Sequence, residues 1–118
     1  TMSEIIRVRG QATGRNSGSA VNGFAWAVAT SQVDTDDLYE QTVSTLARID
    51  AILAEMDTDR TRAITATVYI TDISQKAEMD RAWCEWVGDD PTHWPQRACV
   101  QAALSENDLV EVVLMVAR

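Results

Sequence analysis

The chain has 118 residues, a length that fits one domain, and 46% of its residues are hydrophobic, which is ordinary for a packed globular protein. It has 10 basic and 18 acidic residues and a formal net charge of -8, so a basic surface that binds nucleic-acid phosphates is not expected. Apolar runs such as residues 110–117 are far shorter than the roughly 20 residues needed to cross a bilayer. We therefore expect one soluble, cytoplasmic domain over residues 1–118 that binds neither nucleic acid nor a membrane.

The first predicted elements are two short strands, at Ile5–Arg9 and Phe24–Thr30, with a Gly- and Ser-rich loop over residues 10–23 between them. Thr1, which precedes Met2, is interpreted as a residue left by an expression vector. A helix follows from Asp37 to about residue 56, because apolar residues recur there at spacings of three and four. The predicted apolar stripe consists of Tyr39, Val43, Leu46, Ile49, Leu53 and Met56.

The second half of the chain likewise contains predicted strands and a predicted helix. A run rich in β-branched residues predicts a strand at Ala63–Thr71, and a second amphipathic helix is predicted at Ser74–Val87, ending before Gly88. Arg97–Leu104 and Leu109–Val116 flank a polar turn and are predicted to form a hairpin. The order β-β-α-β-α-β-β predicts an α+β domain in which both helices lie on one face of a single sheet.

The other face of that sheet has no predicted cover. The strand Leu109–Val116 is apolar at nearly every position, which is typical of a strand that is buried on both sides. Because two helices can cover only one side, the second side needs a partner. We therefore expect the protein to form a homo-oligomer.

Few residues are available for metal or nucleophilic chemistry. Cys84 and Cys99 are too few for a disulfide framework, and His93 is the only histidine, so the chain offers no zinc-type ligand set. A Ser-His-Asp arrangement would require His93 to reach a nucleophile from its loop. We expect no metal and no cofactor.

Three runs of residues resemble the Rid family, also called YjgF-like, and within it the YoaB-like branch: Glu40–Leu53, Ala66–Asp72 and Trp94–Ala102. The resemblance extends from Gln41 to the C-terminus, and the pattern Pro-x-Arg-x-Cys-Val at Pro95–Val100 is its specific part. It implies a chorismate-mutase-like fold and a homotrimer in which the sheets form an inner barrel. It also implies three ligand clefts between the subunits.

The resemblance further implies an activity. Members of this family hydrolyse reactive enamines and imines, such as 2-aminoacrylate, to 2-keto acids and ammonia, so the expected partner is a small molecule that bears a carboxylate. The alternative is a non-catalytic member that binds small carboxylates or regulates a partner enzyme. Some relatives carry a ribonuclease or translation-inhibitor label, against which a net charge of -8 and a single histidine argue.

The resemblance assigns roles to several residues. Arg97 is the expected catalytic and substrate-binding residue, since a planar guanidinium can hold a carboxylate by two parallel hydrogen bonds; the alternative is an ordinary ion pair with one of the acidic residues. Cys99 is expected to contact the ligand through its backbone N–H, not its thiol. Thr30 and Ser31 match the loop that closes the cleft from the neighbouring subunit, with Ser31 where the family has glycine. Trp94 adjoins the motif and is expected to line the cleft.

Glu111 and Asn16 are further candidates for the site. Asn16 lies near the place of a family tyrosine that has no clear counterpart here. The predicted hairpin register places Glu111 opposite Gln101, and Val113 opposite Cys99. Active family members have a second glutamate where this chain has Val113, so the group expected to activate water is missing from its usual place. The alternative for Glu111 is a solvated or ion-paired strand residue.

Overall fold

A six-stranded sheet is the frame of the computed structural model, which describes residues 4–118. Thr1, interpreted above as a residue left by an expression vector, lies outside the described residues. The strands are β1 (Ile6–Arg9), β2 (Asn16–Val21), β3 (Phe24–Thr30), β4 (Ala63–Ile70), β5 (Gln96–Gln101) and β6 (Val110–Ala117). The helices are α1 (Leu38–Ala54) and α2 (Lys76–Val87).

The strands are ordered β1-β2-β3-β6-β4-β5 across the sheet. Only β4 and β5 run parallel, and α2 connects them, as a parallel pair requires a crossover. The helix α1 connects β3 to β4 and packs on β3, β6 and α2. The predicted α+β class, with two helices packed on a single sheet, is confirmed. No helix within residues 4–118 is long and apolar enough to cross a membrane.

The prediction of a loop over residues 10–23 is wrong, because residues 16–21 form β2. Gly18 lies on the face of β2 that meets α1, and a Cβ atom there would be 2.7 Å from Cγ2 of Ile52, so the strand needs glycine in order to lie this close to the helix. Asn22 and Gly23 both have positive φ angles, of 53° and 84°, and join β2 to β3 by a two-residue turn. An Asn-Gly pair of this kind is a strong hairpin signal.

The predicted hairpin between the last two strands is also wrong. The strand β4 lies between β5 and β6, so these two strands do not pair with each other. The connection between them crosses the end of β4: the N–H of Ala102 donates to the carbonyl of Ile70, and the N–H of Thr71 donates to the carbonyl of Leu109. The strand richest in β-branched residues thus occupies an interior position with two hydrogen-bonded neighbours.

This strand order changes the neighbours of two candidate residues. Glu111 and Val113 do not face β5, so their predicted partners are wrong. On β4 they pair with Tyr69 and Thr67. All four side chains point away from the helices, because the alternate residues of β6 are fully buried under α1.

The apolar core lies between the sheet and the two helices. On α1 it includes Leu46, Ile49 and Leu53, as the predicted stripe requires. Val43 is an exception, because it is exposed. Near the N-terminus of α1 the buried face carries, besides Leu38, the polar residues Gln41, Thr42 and Thr45.

The face of the sheet opposite the helices is bare in the single chain. Phe24 and Trp26 on β3 are 42% and 37% exposed on this face, and their rings lie 6.4 Å apart. Val113 on β6 and Val100 on β5 are also exposed there. We refer below to this surface as the bare face.

Candidate functional site

Arg97 is held against α2 at the edge of the sheet. Its side chain lies on the helix side, and its Nη2 atom is 2.7 Å from Oδ1 of Asp80. The other oxygen of Asp80 is 2.7 Å from Nζ of Lys76. The guanidinium also lies over the ring of Trp83, 5.2 Å from its centroid, and its Nη1 atom is 3.7 Å from the sulfur of Met79. The side chain of Arg97 is consequently only 18% exposed.

Arg97 thus forms an ion pair with an acidic residue, which is the alternative expected for it from the sequence. Burial by itself would raise the pKa of Asp80, but hydrogen bonds and charges from Lys76 and Arg97 outweigh it, so that the pKa lies below its usual value. Asp80 is therefore a carboxylate at neutral pH. The cluster of Lys76, Asp80 and Arg97 combines two positive charges with one negative charge.

Cys99 lies on the same face of β5 as Arg97 and is half-buried. Burial raises the pKa of its thiol, and the nearby charges of Arg97 and Lys76 lower it less than burial raises it. The thiol is thus neutral at physiological pH and a poor nucleophile. The contact of its backbone N–H with a ligand stays a prediction.

Trp94 precedes β5 and is half exposed. Its indole N–H donates to the carbonyl of Gly88 at 2.8 Å, which joins the end of α2 to the start of the motif. His93, next to it, lies 3.6 Å from a carboxylate oxygen of Asp90. No group of three or more His, Cys, Asp or Glu residues within residues 4–118 could hold a metal ion.

A second set of candidate residues lies where β3 ends and β6 begins. Thr30 and Glu111 are direct partners across these strands, and together with Asn16 they line an open pocket of about 440 Å³. Two residues that sequence analysis missed, Arg15 and Arg48, line the same pocket. No local pattern distinguishes them, since one lies in a loop and the other on an amphipathic helix.

Asp108 lines this pocket, and Ser31 follows the lining residue Thr30. The hydroxyl of Ser31 donates to the carbonyl of Val33 at 2.8 Å and accepts from its N–H, so it stabilises the turn after β3. Asp108 lines the pocket with Glu111, and burial together with the charge of Glu106 raises the pKa of Asp108. Its carboxyl group therefore retains a proton to a higher pH than an exposed aspartate does.

The structure does not bring the two sets of candidate residues together within one chain. Arg97 and Cys99 face the helices, whereas Thr30 and Glu111 are on the bare face. Glu111 is also two strands away from β5, a separation of about 10 Å. A site that contains both sets needs two subunits.

A mixed six-stranded sheet with two helices packed on it is the fold of YjgF-like proteins. The chain belongs to the family described as endoribonuclease L-PSP, whose model matches residues 10–118. Its relatives include RutC family proteins, YoaB among them, and the predicted membership of the Rid, or YjgF-like, family is confirmed.

Three similar proteins illustrate the match. A RutC family protein of Haemophilus ducreyi is 42% identical over 100 residues, which is 81% of this chain and 82% of that protein. The RutC family protein YoaB of Escherichia coli is 40% identical over 68 residues, or 58% of each chain. The crystal structure of NMB1025 from Neisseria meningitidis, a member of the YjgF family, has a TM-score of 0.88 and 28% identity, and covers 98% of this chain and 95% of that one.

Proposed function

We propose that the protein hydrolyses small 2-imino acids and their enamine tautomers to 2-keto acids and ammonia, at clefts between the subunits of a homotrimer. The observation that carries the proposal is the position of Arg97, on an edge strand and held by α2, within the motif Pro-x-Arg-x-Cys-Val. A guanidinium fixed in this way offers a preorganised contact to a carboxylate. Membership of the Rid family supports this substrate class.

The bare face supports assembly of several chains. Large apolar side chains are exposed there, including Phe24 and Trp26, and a surface of this kind commonly marks an interface. The separation of Arg97 from Glu111 supports it independently, since only a second subunit can bring Thr30 and Glu111 next to Arg97. In a closed trimer, each subunit contributes Arg97 to one cleft and contributes Thr30 and Glu111 to a neighbouring cleft.

In the proposed reaction the substrate carboxylate binds Arg97, and the backbone N–H of Cys99 supports the ligand. Water adds to the imine carbon, the C–N bond breaks, and the nitrogen leaves as ammonia while the carbon becomes a ketone. Val113 places no carboxylate in the cleft, so water is oriented by hydrogen bonds and not by a second glutamate. Because general-base assistance is worth about 10²-fold or more, the rate falls below that of members that have this glutamate.

The test is a competition for freshly formed imines. An amino-acid oxidase generates 2-imino acids from a panel of amino acids, semicarbazide traps them, and the wild-type protein is expected to suppress the adduct. Arg97→Ala should lose this effect and remain oligomeric, because a charged hydrogen-bonding partner is worth about 1.5 to 3 kcal/mol. Arg97→Lys should not restore it, since an ammonium cannot make two parallel contacts.

The control variant is Arg81→Ala on α2, the helix against which Arg97 packs, where Arg81 pairs with exposed Glu78 at 2.7 Å. It should behave like the wild type. Full activity of Arg97→Ala would contradict the assignment of the site. A wild-type protein that suppresses no adduct, yet binds a 2-keto acid in a manner that depends on Arg97, would instead indicate the non-catalytic carboxylate-binding function.

A further inference from the structure

We propose that Asp80 is a second substrate-binding residue, which selects the zwitterionic form of the substrate by accepting a hydrogen bond from its protonated imine nitrogen while Arg97 binds its carboxylate. This inference rests on the proposed function and names the charge state of the substrate. The substrate class is a 2-iminio carboxylate, with a positive nitrogen and a negative carboxylate on adjacent carbon atoms.

The geometry of the pair matches that charge distribution. The guanidinium of Arg97 and the carboxylate of Asp80 are 2.7 Å apart and of opposite charge. In a 2-iminio acid the nitrogen is only two bonds from the carboxylate carbon, so its two charges are similarly close. Such a substrate can lie along the pair with each of its ends next to the opposite charge, which a simple carboxylate cannot do.

Asp80 is accessible for this contact. Its side chain is 33% exposed, more than that of Arg97, and it lies on α2 beside the outermost strand β5. Oδ1 accepts from Arg97 and Oδ2 accepts from Lys76. Each carboxylate oxygen has two lone pairs, so Asp80 can accept a further N–H without losing either cation.

The contact has a chemical consequence. A protonated imine is more electrophilic at carbon than a neutral one, and a fixed carboxylate beside the nitrogen favours the protonated form. Asp80 thereby assists the addition of water in a chain that has Val113 where a second glutamate is expected. Product release also benefits, because a 2-keto acid has no positive group and its anion is repelled by Asp80.

The experiment compares two ligands with the same carbon skeleton. Isothermal titration calorimetry measures the binding of L-alanine, a zwitterion, and of pyruvate, an anion, to the wild type and to Asp80→Asn. We expect the variant to bind alanine about tenfold more weakly or worse and to bind pyruvate more tightly. Asp80→Glu should restore the preference for alanine, and Glu78→Gln, which removes an exposed carboxylate from the same helix, should leave both affinities unchanged.

The outcomes separate the two proposals. If the wild type binds both ligands and the ratio of their affinities is the same in Asp80→Asn, Asp80 has no part in binding, whereas the role of Arg97 stands. If the wild type binds neither ligand but still suppresses the adduct in an Arg97-dependent manner, the proposed function stands and this inference fails. If it also suppresses no adduct, both fail. The same titrations are carried out on Asp80→Ser, and a thermal melt is recorded for each variant. If Asp80→Asn does not fold, Asp80→Ser takes its place in the comparison.

Discussion

Gln41 is predicted to be a main stabilising residue of the segment that leads into β6. Its side chain is 2% exposed and lies in the first turn of α1. Its amide N–H groups donate to the carbonyl oxygens of Thr35 at 2.7 Å and Asn107 at 2.9 Å, and its oxygen accepts from the N–H of Leu109 at 2.8 Å. One side chain thus connects the residues before α1 to the residues before β6.

Replacing Gln41 by leucine keeps the volume and removes all three hydrogen bonds. A hydrogen bond contributes about 1 kcal/mol net, and a polar group left buried without a partner costs more. Thr35, Asn107 and Leu109 are not fully buried, so water can satisfy part of what is lost. We therefore expect the free energy of unfolding to fall by about 2 to 4 kcal/mol, a large part of the 5 to 15 kcal/mol typical of a domain.

The assay is urea-induced unfolding, followed by circular dichroism at matched protein concentrations, because assembly contributes to apparent stability. Thr42→Val is the matched control: Thr42 is equally buried, but its hydroxyl donates only to the carbonyl of Leu38 in its own helix. Equal losses for Gln41→Leu and Thr42→Val, or a loss below about 1 kcal/mol for Gln41→Leu, would refute the reasoning.

Three further predictions follow from the fold. Light scattering should show a trimer for the wild type and smaller species for Trp26→Glu, because burying a charge on the bare face is costly. A Trp26→Glu variant that remains trimeric would exclude this face from the interface. Gly18→Val should lower the melting temperature, because its Cβ would lie 2.7 Å from Ile52, and an unchanged melt would mean that α1 can shift. Hydrogen bonds from Ser74 lower the pKa of Asp72, so stability should fall as pH drops below about 4, and Asp72→Asn should weaken this dependence in urea titrations at several pH values.

The sequence by itself determined the elements whose signals are local. The spacing of its apolar residues predicts the helix α1, and a run of β-branched residues predicts the strand β4. Both patterns are contained within a few consecutive residues. The Asn22-Gly23 pair likewise specifies a two-residue turn, although the polar composition of β2 favours a loop. Arg97 is placed on a late strand by the sequence, and the excess of acidic residues in the chain offers an ion pair without identifying the partner.

The tertiary structure alone decided the strand order and the partners that depend on it. Strand pairing is non-local, so the sequence of residues 97–116 does not indicate that β4 lies between β5 and β6. This position of β4 separates Glu111 from Arg97. The pair of Arg97 and Asp80 joins residues 17 positions apart on two elements, and it forms because the parallel register of β4 and β5 brings the start of β5 under α2. The free energy of such contacts comes from packing between elements, which the local pattern does not encode.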